Sequence, residues 1–285
     1  MTETGPPIIF NRRRVRAART RAFRNAVNRP FLHQRVVEDV VDRLETTMRP
    51  FERAVFFGVG VPRDFLTPDC GVGHALYTDF HTAAAGDALD IVVDEERWPF
   101  APESLDLIVS VLSLHHANDL VGALSQMRAS LRPDGLLIAA MLGEATLSSL
   151  RAALYEAEDA LCGGVAPRVA PFASVRDLGG ALQRAGFAMP VCDLDTVNVR
   201  YSDPRRLFAD LRDGAFANAL ARRGPPLRRD VAAASLARLA ASDAPIVFDI
   251  VYLTGWAPSP DQQKPARRGS ATASLAEAVT RATDN

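Results

Sequence analysis

Two adjacent histidines, His115 and His116, are the residues of this sequence with the clearest chemical potential. They follow Leu105–Leu112, an apolar run of strand length, so they lie just beyond the end of a predicted strand. An unperturbed histidine titrates near neutral pH and can act as a base or orient a substrate. We therefore assign His115 as a substrate-side polar group and candidate catalytic residue.

A metal site is not predicted. No HxD or HxE pattern follows His115 or His116, so a site of two histidines and one carboxylate is not indicated. The three cysteines are widely spaced and contain no CxxC pair, which fits reduced thiols rather than zinc ligands. They are Cys70, Cys162 and Cys192.

A glycine pair, Gly58 and Gly60, directly follows the predicted first strand, Ala54–Phe57. Glycines at that point allow a tight turn and a close approach of backbone amides to a ligand. Doubly wound folds hold a cofactor in this way, at the carboxyl edge of the sheet. The pair therefore marks a candidate cofactor turn.

The elements that must position these residues form a strand-helix-strand unit. Leu105–Leu112 and Gly135–Met141 are near-continuous apolar runs, and Ala117–Leu131 between them has helical spacing. Strands that are apolar on both faces suit a buried parallel sheet, which favours a doubly wound α/β fold. Two helices are predicted before the sheet, over residues 10–28 and 31–48.

The segment from Asp94 to Met141 resembles the second half of a class I S-adenosylmethionine (SAM) dependent methyltransferase domain. It contains an acidic turn, Trp98-Pro99-Phe100, the run LDLIVSVLSLHH, a helix and LRPDGLLIAAM. The stretches SLHHANDL, VRYSDPRRLFADLR, NALARR and IVYLTGWAPSPDQQKPARRGSA further resemble the methyltransferase-like proteins that assist respiratory complex I assembly. This resemblance implies an α/β, Rossmann-like class I methyltransferase fold. We expect a seven-stranded, mostly parallel sheet with helical N-terminal and C-terminal cap additions.

The resemblance also implies roles for individual residues. Gly58 and Gly60 would form the cofactor turn, and Asp79 would accept hydrogen bonds from the ribose hydroxyls of SAM. Asp94, with Glu95 beside it in the acidic turn, would face the adenine amino group. The alternatives for these carboxylates are turn-capping and surface positions. His116 stands where the family has a tryptophan, which implies a structural role for His116.

Two positions depart from the family pattern. Phe56 stands where the family has an acidic residue, and Pro62 stands where it has a third glycine. The acidic residue normally helps to hold the ammonium group of SAM, and the glycine lets the backbone pass close to it. Their replacement predicts weaker cofactor binding.

Three regions are expected along the chain. Residues 1–50 form N-terminal helices, and residues 51–256 form the SAM methyltransferase-like domain. That domain carries a helical insertion at about 204–242, with two or three helices and a basic connector. The resemblance implies that this insertion recognises a partner, and the alternative is a helical cap without a partner. Residues 257–285 are polar and rich in Pro, Ser, Gln and Arg, so a flexible tail is expected, with a short helix at 273–282.

The composition fits a chain with a sizeable core and peripheral membrane association at most. Hydrophobic residues make up 48% of the 285 residues, but no apolar run approaches the roughly 18 residues of a membrane helix, so no transmembrane segment is predicted. The net charge of -1 gives no indication of a nucleic-acid partner. The first 37 residues, however, contain nine arginines and one acidic residue, Glu3.

That basic start has two interpretations. An arginine-rich, acid-poor beginning is typical of a mitochondrial transit peptide. We favour the ordinary mature N-terminus of bacterial relatives, since Lys264 is the single lysine and alanine is abundant, as in a GC-rich bacterial genome. The expected location is the bacterial cytoplasm, or the mitochondrial matrix if the source is eukaryotic.

The resemblance leaves three functions open. The first is a SAM-dependent methyltransferase-like protein that acts on or assists a protein partner such as a respiratory complex I subunit. The mitochondrial relatives of such a protein are regarded as arginine hydroxylases. The second is an ordinary methyltransferase on a small carboxylate or a carrier-protein thioester, because malonyl carrier-protein methyltransferases are sequence neighbours. The third is a non-catalytic chaperone with a decayed SAM pocket. The sequence contains no signal for an oligomeric state.

Overall fold

A single seven-stranded sheet organises the part of the chain that the computed structural model describes, residues 7–25, 29–58, 60, 64–81, 89–203, 205–242, 244–262 and 274. The order of its strands is β3-β2-β1-β4-β5-β7-β6. β1 to β5 pair in parallel, whereas β7 is antiparallel to both β5 and β6. The predicted seven-stranded, mostly parallel sheet is confirmed. The strands are β1 (Phe51–Phe57), β2 (Val72–Asp79), β3 (Ile91–Val92), β4 (Leu105–Val111), β5 (Leu131–Leu142), β6 (Ala188–Val199) and β7 (Ile246–Trp256).

The central strands have apolar side chains on both faces because helices cover both sides of the sheet. Along β4, Leu107 and Val109 belong to one hydrophobic cluster, and Ile108 between them belongs to the other. Successive residues of a strand point to opposite faces, so a strand buried on both sides must be apolar throughout. This explains why β4 and β5 could be recognised as continuous apolar runs.

Seven helices of the described residues flank the sheet. The two N-terminal helices, α1 and α2, lie where the sequence predicted them. Side-chain caps fix the start of two others, because Asp119 accepts a hydrogen bond from the backbone of Gly122, and Ser174 does so from Asp177. None of the helices in the described part is long and apolar enough to cross a membrane. They are α1 (Arg12–Asn25), α2 (Phe31–Thr47), α3 (Leu120–Ser130), α4 (Ser148–Cys162), α5 (Val175–Arg184), α6 (Arg205–Asp213) and α7 (Arg229–Ser242).

Some predicted boundaries differ from the structure. The sequence predicts two short strands, over residues 191–194 and 197–201, but the structure has one edge strand, β6, in which exposed and partly buried positions alternate except at Asp193 and Leu194. The third strand has only two residues. The insertion contributes α6 and α7, joined by residues 214–228. Pro62, residues 82–87 and the short helix expected at 273–282 lie outside the described residues.

Candidate functional site

The candidate cofactor turn lies where the strand order reverses, between β1 and β4 at the carboxyl edge of the sheet. Open α/β sheets bind their ligands at this switch point. Gly58 and Gly60 have φ angles of 79° and 70°, in the left-handed region that favours glycine. A Cβ atom on Gly58 would lie 2.6 Å from the carbonyl oxygen of Val111, whereas one on Gly60 would meet nothing within 4 Å. Backbone geometry therefore requires glycine most strongly at position 58.

Asp79, at the end of β2, is bound to an arginine of the N-terminal helix α1. The Nε atom of Arg19 lies 2.9 Å from Oδ1 of Asp79, and both side chains are buried. The same guanidinium donates a hydrogen bond to the hydroxyl of Ser113 and lies 5.3 Å from the ring centroid of Phe57. The Arg19 side chain thus lies next to the end of β1, directly beside the cofactor turn.

The predicted adenine-side carboxylates are bound by a second arginine of the same helix. Arg12 lies 2.8 Å from Asp94 and 2.8 Å from Glu95, and the Glu95 side chain is fully buried. Burial alone would lower the pKa of Arg12, but its hydrogen bond to Glu95 and the charges of Glu95, Asp94 and Glu96 raise that pKa above its ordinary value. Arg12 is therefore charged, and both of its terminal nitrogens donate hydrogen bonds in this cleft.

Helix α1 reaches the cleft with one arginine-rich face. Arg12, Arg16 and Arg19 are spaced at i, i+4 and i+7, which places them on the same side of a helix. The guanidinium of Arg16 stacks 4.4 Å from the ring centroid of Phe80, just after Asp79. This spacing was the signal in the sequence that could have identified α1 as the cover of the carboxyl edge.

The structure brings the five predicted cofactor residues to the carboxyl edge of the sheet, but helix α1 fills the space beside that edge. The cavity beside Arg19, Asp79 and the glycine turn measures about 50 Å³, whereas ligand pockets span roughly 300 to 1,000 Å³. SAM does not fit here while Arg19 is in place. The five residues are Gly58, Gly60, Asp79, Asp94 and Glu95.

The buried position of Phe56 explains why this chain lacks the acidic residue of the family pattern. Its side chain is fully buried in the core, stacked on Tyr77 with ring centroids 5.5 Å apart and in edge contact with Phe65 at 5.5 Å. An aspartate there would carry an uncompensated charge into an aromatic cluster. The residue that would hold the ammonium group of SAM has thus become a packing residue.

The two histidines form a short 3₁₀ turn after β4, and both are buried. Burial lowers the pKa of His116 to about 3, with the charges of Arg19 and Arg12 acting in the same direction. Burial also holds the pKa of His115 well below its usual range, aided by His116, Arg19 and His33. Both imidazoles are therefore neutral at physiological pH. Among the described residues, no cluster of three or more His, Cys, Asp or Glu side chains could hold a metal ion.

His115 and His116 differ in what they contact. His116 packs edge-on against Phe10 with ring centroids 5.3 Å apart, consistent with the structural position expected for it. Neither ring nitrogen of His115 has a hydrogen-bond partner in the described part of the chain. Its ring faces a cavity of about 810 Å³ that sequence reasoning did not anticipate. This cavity, the α4–α6 cavity, lies between α4, α6 and the loops 163–172 and 214–227.

Comparisons with known proteins agree with this architecture. Residues 70–139 match the family described as methyltransferase domain. The chain is 36% identical over 262 residues to "Arginine-hydroxylase NDUFAF5, mitochondrial" of Danio rerio, covering 87% of this chain and 81% of that protein. It is 31% identical over 180 residues to the malonyl-[acyl-carrier protein] O-methyltransferase of Gallionella capsiferriformans, covering 60% and 59% of the two chains.

A solved structure agrees at the level of the fold. The YcgJ protein of Bacillus subtilis superposes with a TM-score of 0.50 at 13% sequence identity. The match covers 78% of this chain and 99% of that one. The sheet order and the sequence relatives therefore point to the same architecture.

Proposed function

Because the chain belongs to the family of the arginine-hydroxylase NDUFAF5, we propose that it acts on or assists a protein partner by engaging an arginine-bearing segment of that partner. The observation that carries the proposal is the acidic cleft, which Asp79, Asp94 and Glu95 form at the carboxyl edge of the sheet. This cleft already binds two arginine side chains of the chain's own helix α1. The family resemblance suggests a respiratory complex I subunit as the partner.

The contacts in the cleft suit guanidinium groups rather than ammonium groups. Arg19 pairs through Nε with Asp79 and donates a hydrogen bond from another nitrogen to Ser113. Its guanidinium also lies over the ring of Phe57. Arg12 divides its two terminal nitrogens between Asp94 and Glu95. A planar fork with several fixed donors can satisfy such a set of acceptors, and a lysine cannot. Helix α1 would then be the internal occupant that a partner's arginine replaces.

We extend the proposal to the cofactor. SAM would bind at the same edge only when neither Arg19 nor a partner's arginine occupies it, with Gly58 and Gly60 at the turn, Asp79 toward the ribose hydroxyls, and Asp94 and Glu95 on the adenine side. The methyltransferase fold and the glycine turn support this assignment. His115, at the border of the α4–α6 cavity, would be the polar group on the substrate side.

A second candidate function is non-catalytic assistance of a partner. The packed position of Phe56 and the cavity of about 50 Å³ beside Asp79 favour it, since both limit cofactor binding. An ordinary methyltransferase on a carrier-protein thioester, suggested by the Gallionella relative, is the third. We place the protein in the bacterial cytoplasm or, because the named relative is mitochondrial, in the mitochondrial matrix if the source is eukaryotic.

Chemical rescue tests whether the cleft recognises guanidinium groups. Arg19→Ala should lower the melting temperature, because it leaves the buried carboxylate of Asp79 without its cation. Millimolar ethylguanidinium should then raise that melting temperature by about 2 °C or more. Ethylammonium, which matches the charge but lacks the fork, should not.

The matched control is Arg13→Ala, since Arg13 lies on the same helix but is exposed. It should melt like the wild type and gain nothing from ethylguanidinium. If ethylammonium rescues Arg19→Ala equally well, or if neither ion does, the proposed recognition of arginine is wrong.

A further inference from the structure

The α4–α6 cavity is large enough for a small molecule. Its volume of about 810 Å³ lies within the roughly 300 to 1,000 Å³ typical of ligand pockets. It is separate from the cavity of about 50 Å³ beside Asp79. None of the carboxylates of the acidic cleft lines it.

The inner wall of the cavity is apolar. Leucines of β5 and α4 and three phenylalanines line it, and the leucines are buried. An apolar wall of this size gains free energy by covering an apolar ligand surface. The residues concerned are Leu142, Leu150, Leu154, Phe172, Phe208 and Phe216.

One polar side chain interrupts this wall. His115 is 6% exposed, and its ring lies between Phe172 and Phe216 at centroid distances of 5.8 and 5.9 Å. Both of its ring nitrogens lack a partner among the described residues. A buried polar group without a hydrogen bond costs free energy that a ligand hydroxyl or carbonyl would recover.

The mouth of the cavity is cationic. Arg21, Arg212 and Arg223 line it and are exposed. Within the described ranges, none of the three has an ion pair or a side-chain hydrogen bond. Two further arginines of the wall are engaged elsewhere, since Arg168 pairs with Glu158 and Arg14 donates to the carbonyl of Leu220. These three arginines are therefore available to pair with a ligand that enters the cavity.

We propose that the α4–α6 cavity binds a small amphipathic anion, an acyl-chain carboxylate with a polar group near the far end of the chain. The carboxylate would lie among Arg21, Arg212 and Arg223, and the chain would cover the leucines and phenylalanines. The distal hydroxyl or carbonyl would hydrogen-bond to His115. A cationic ligand is disfavoured by the same three arginines, so this cavity is not the place for a partner's arginine.

The test uses ligands that differ in one group at a time and the wild-type full chain. Decanoate should bind saturably in calorimetry, about 10-fold more tightly than decanol and decylamine, because only the anion pairs with the arginines. 10-Hydroxydecanoate should bind about 3- to 10-fold more tightly than decanoate, because its hydroxyl reaches the unpartnered His115. This experiment requires no SAM, so its failure is independent of the proposed function.

Two variants locate the site. The triple variant Arg21→Gln/Arg212→Gln/Arg223→Gln should abolish the preference for decanoate over decanol. Its matched control is Arg13→Gln/Arg206→Gln/Arg222→Gln, which changes exposed arginines of the same three segments that do not line the cavity. The control should keep wild-type affinity. Ala217→Trp, which fills the cavity from a partly buried position, should lose binding of every ligand.

Several outcomes would overturn the proposal. They are equal binding of decanoate, decanol and decylamine, no saturable binding at all, or unchanged affinity in a folded Ala217→Trp variant. Equal affinity for decanoate and 10-hydroxydecanoate would overturn the assignment of His115 as the distal contact.

Discussion

The acidic cleft and the α4–α6 cavity lie on either side of the 3₁₀ turn of His115 and His116, called here the histidine turn. They differ in whether their arginines are paired with carboxylates. In the cleft, the buried charges of Asp79 and Glu95 are paired with arginines of α1, and about 50 Å³ of space remains. The cavity has about 810 Å³ of space, an unpartnered histidine and three unpaired arginines. The cleft is closed by the chain itself, whereas the cavity has no internal occupant among the described residues.

This difference separates stability from binding. Satisfied buried charges fix the structure, and removal of one partner is costly because the other remains buried. An unsatisfied buried group costs free energy in the folded state, and a ligand that completes its hydrogen bonds would recover that cost. Substitutions in the cleft should therefore change stability most, and substitutions at the cavity mouth should change binding.

The largest effect is expected from Arg12→Met. It leaves the fully buried Glu95 without its cation, and loss of one partner of a buried ion pair costs about 3 to 5 kcal/mol. Urea denaturation should show this loss in the free energy of unfolding. The double variant Arg12→Met/Glu95→Gln should recover a large part of it. A loss below about 1 kcal/mol, typical of exposed ion pairs, would contradict the assignment of this pair as buried.

The next effect is expected from the glycine turn. Gly58→Ala should lower the free energy of unfolding by about 3 kcal/mol, because it combines a left-handed backbone with a Cβ atom 2.6 Å from the carbonyl of Val111. Gly60→Ala is the matched control, with a similar φ angle and open space around it, and should cost about 1 kcal/mol. Equal costs in thermal or urea unfolding would contradict the packing of the turn against β4.

A pH-dependent effect of about 2 kcal/mol is expected from the histidine turn. Burial depresses the pKa of His116 to about 3 in the folded state, against about 6.5 in the unfolded chain. Between these values only the unfolded state binds the proton, so stability is full above pH 6.5 and falls as the pH decreases. At pH 5 the loss is about 2 kcal/mol for this residue.

His116→Phe should reduce the loss of unfolding free energy between pH 7 and pH 5, measured in urea, by about 2 kcal/mol. The share of His33 and His115, whose pKa values are also lowered by burial, should remain. The exposed His74, on β2, provides the control His74→Phe, which should keep the wild-type slope. An unchanged slope in His116→Phe would show that the imidazole is accessible to protons in the folded state.

The sequence predicted the centre of the fold better than its edges. β4 and β5 are apolar on both faces because helices cover both sides of the sheet, so their composition alone identifies them. The edge strand β6 mixes charged residues, such as the exposed Asp193, with apolar ones, so its composition is a weaker signal of a strand. The two-residue β3 is too short for any periodic signal.

The candidate site could be predicted only in part. Gly58 was predicted from the glycine pair directly after a strand, whereas Asp79 and Asp94 were assigned through the family resemblance. That Arg12 and Arg19 would bind those carboxylates depends on the tertiary placement of α1. The α4–α6 cavity depends on where side chains leave space, which no local pattern of residues records.

The most direct test of the account is calorimetric titration of SAM into the wild-type protein, Arg19→Ala and the exposed control Arg13→Ala. If Arg19 fills the cofactor position, Arg19→Ala should bind SAM at least about 10-fold more tightly than the wild type, a difference of about 1.4 kcal/mol. Arg13→Ala should match the wild type. Equal affinities for the wild type and Arg19→Ala, including no binding by either, would contradict the claim that helix α1 controls access to the cofactor edge.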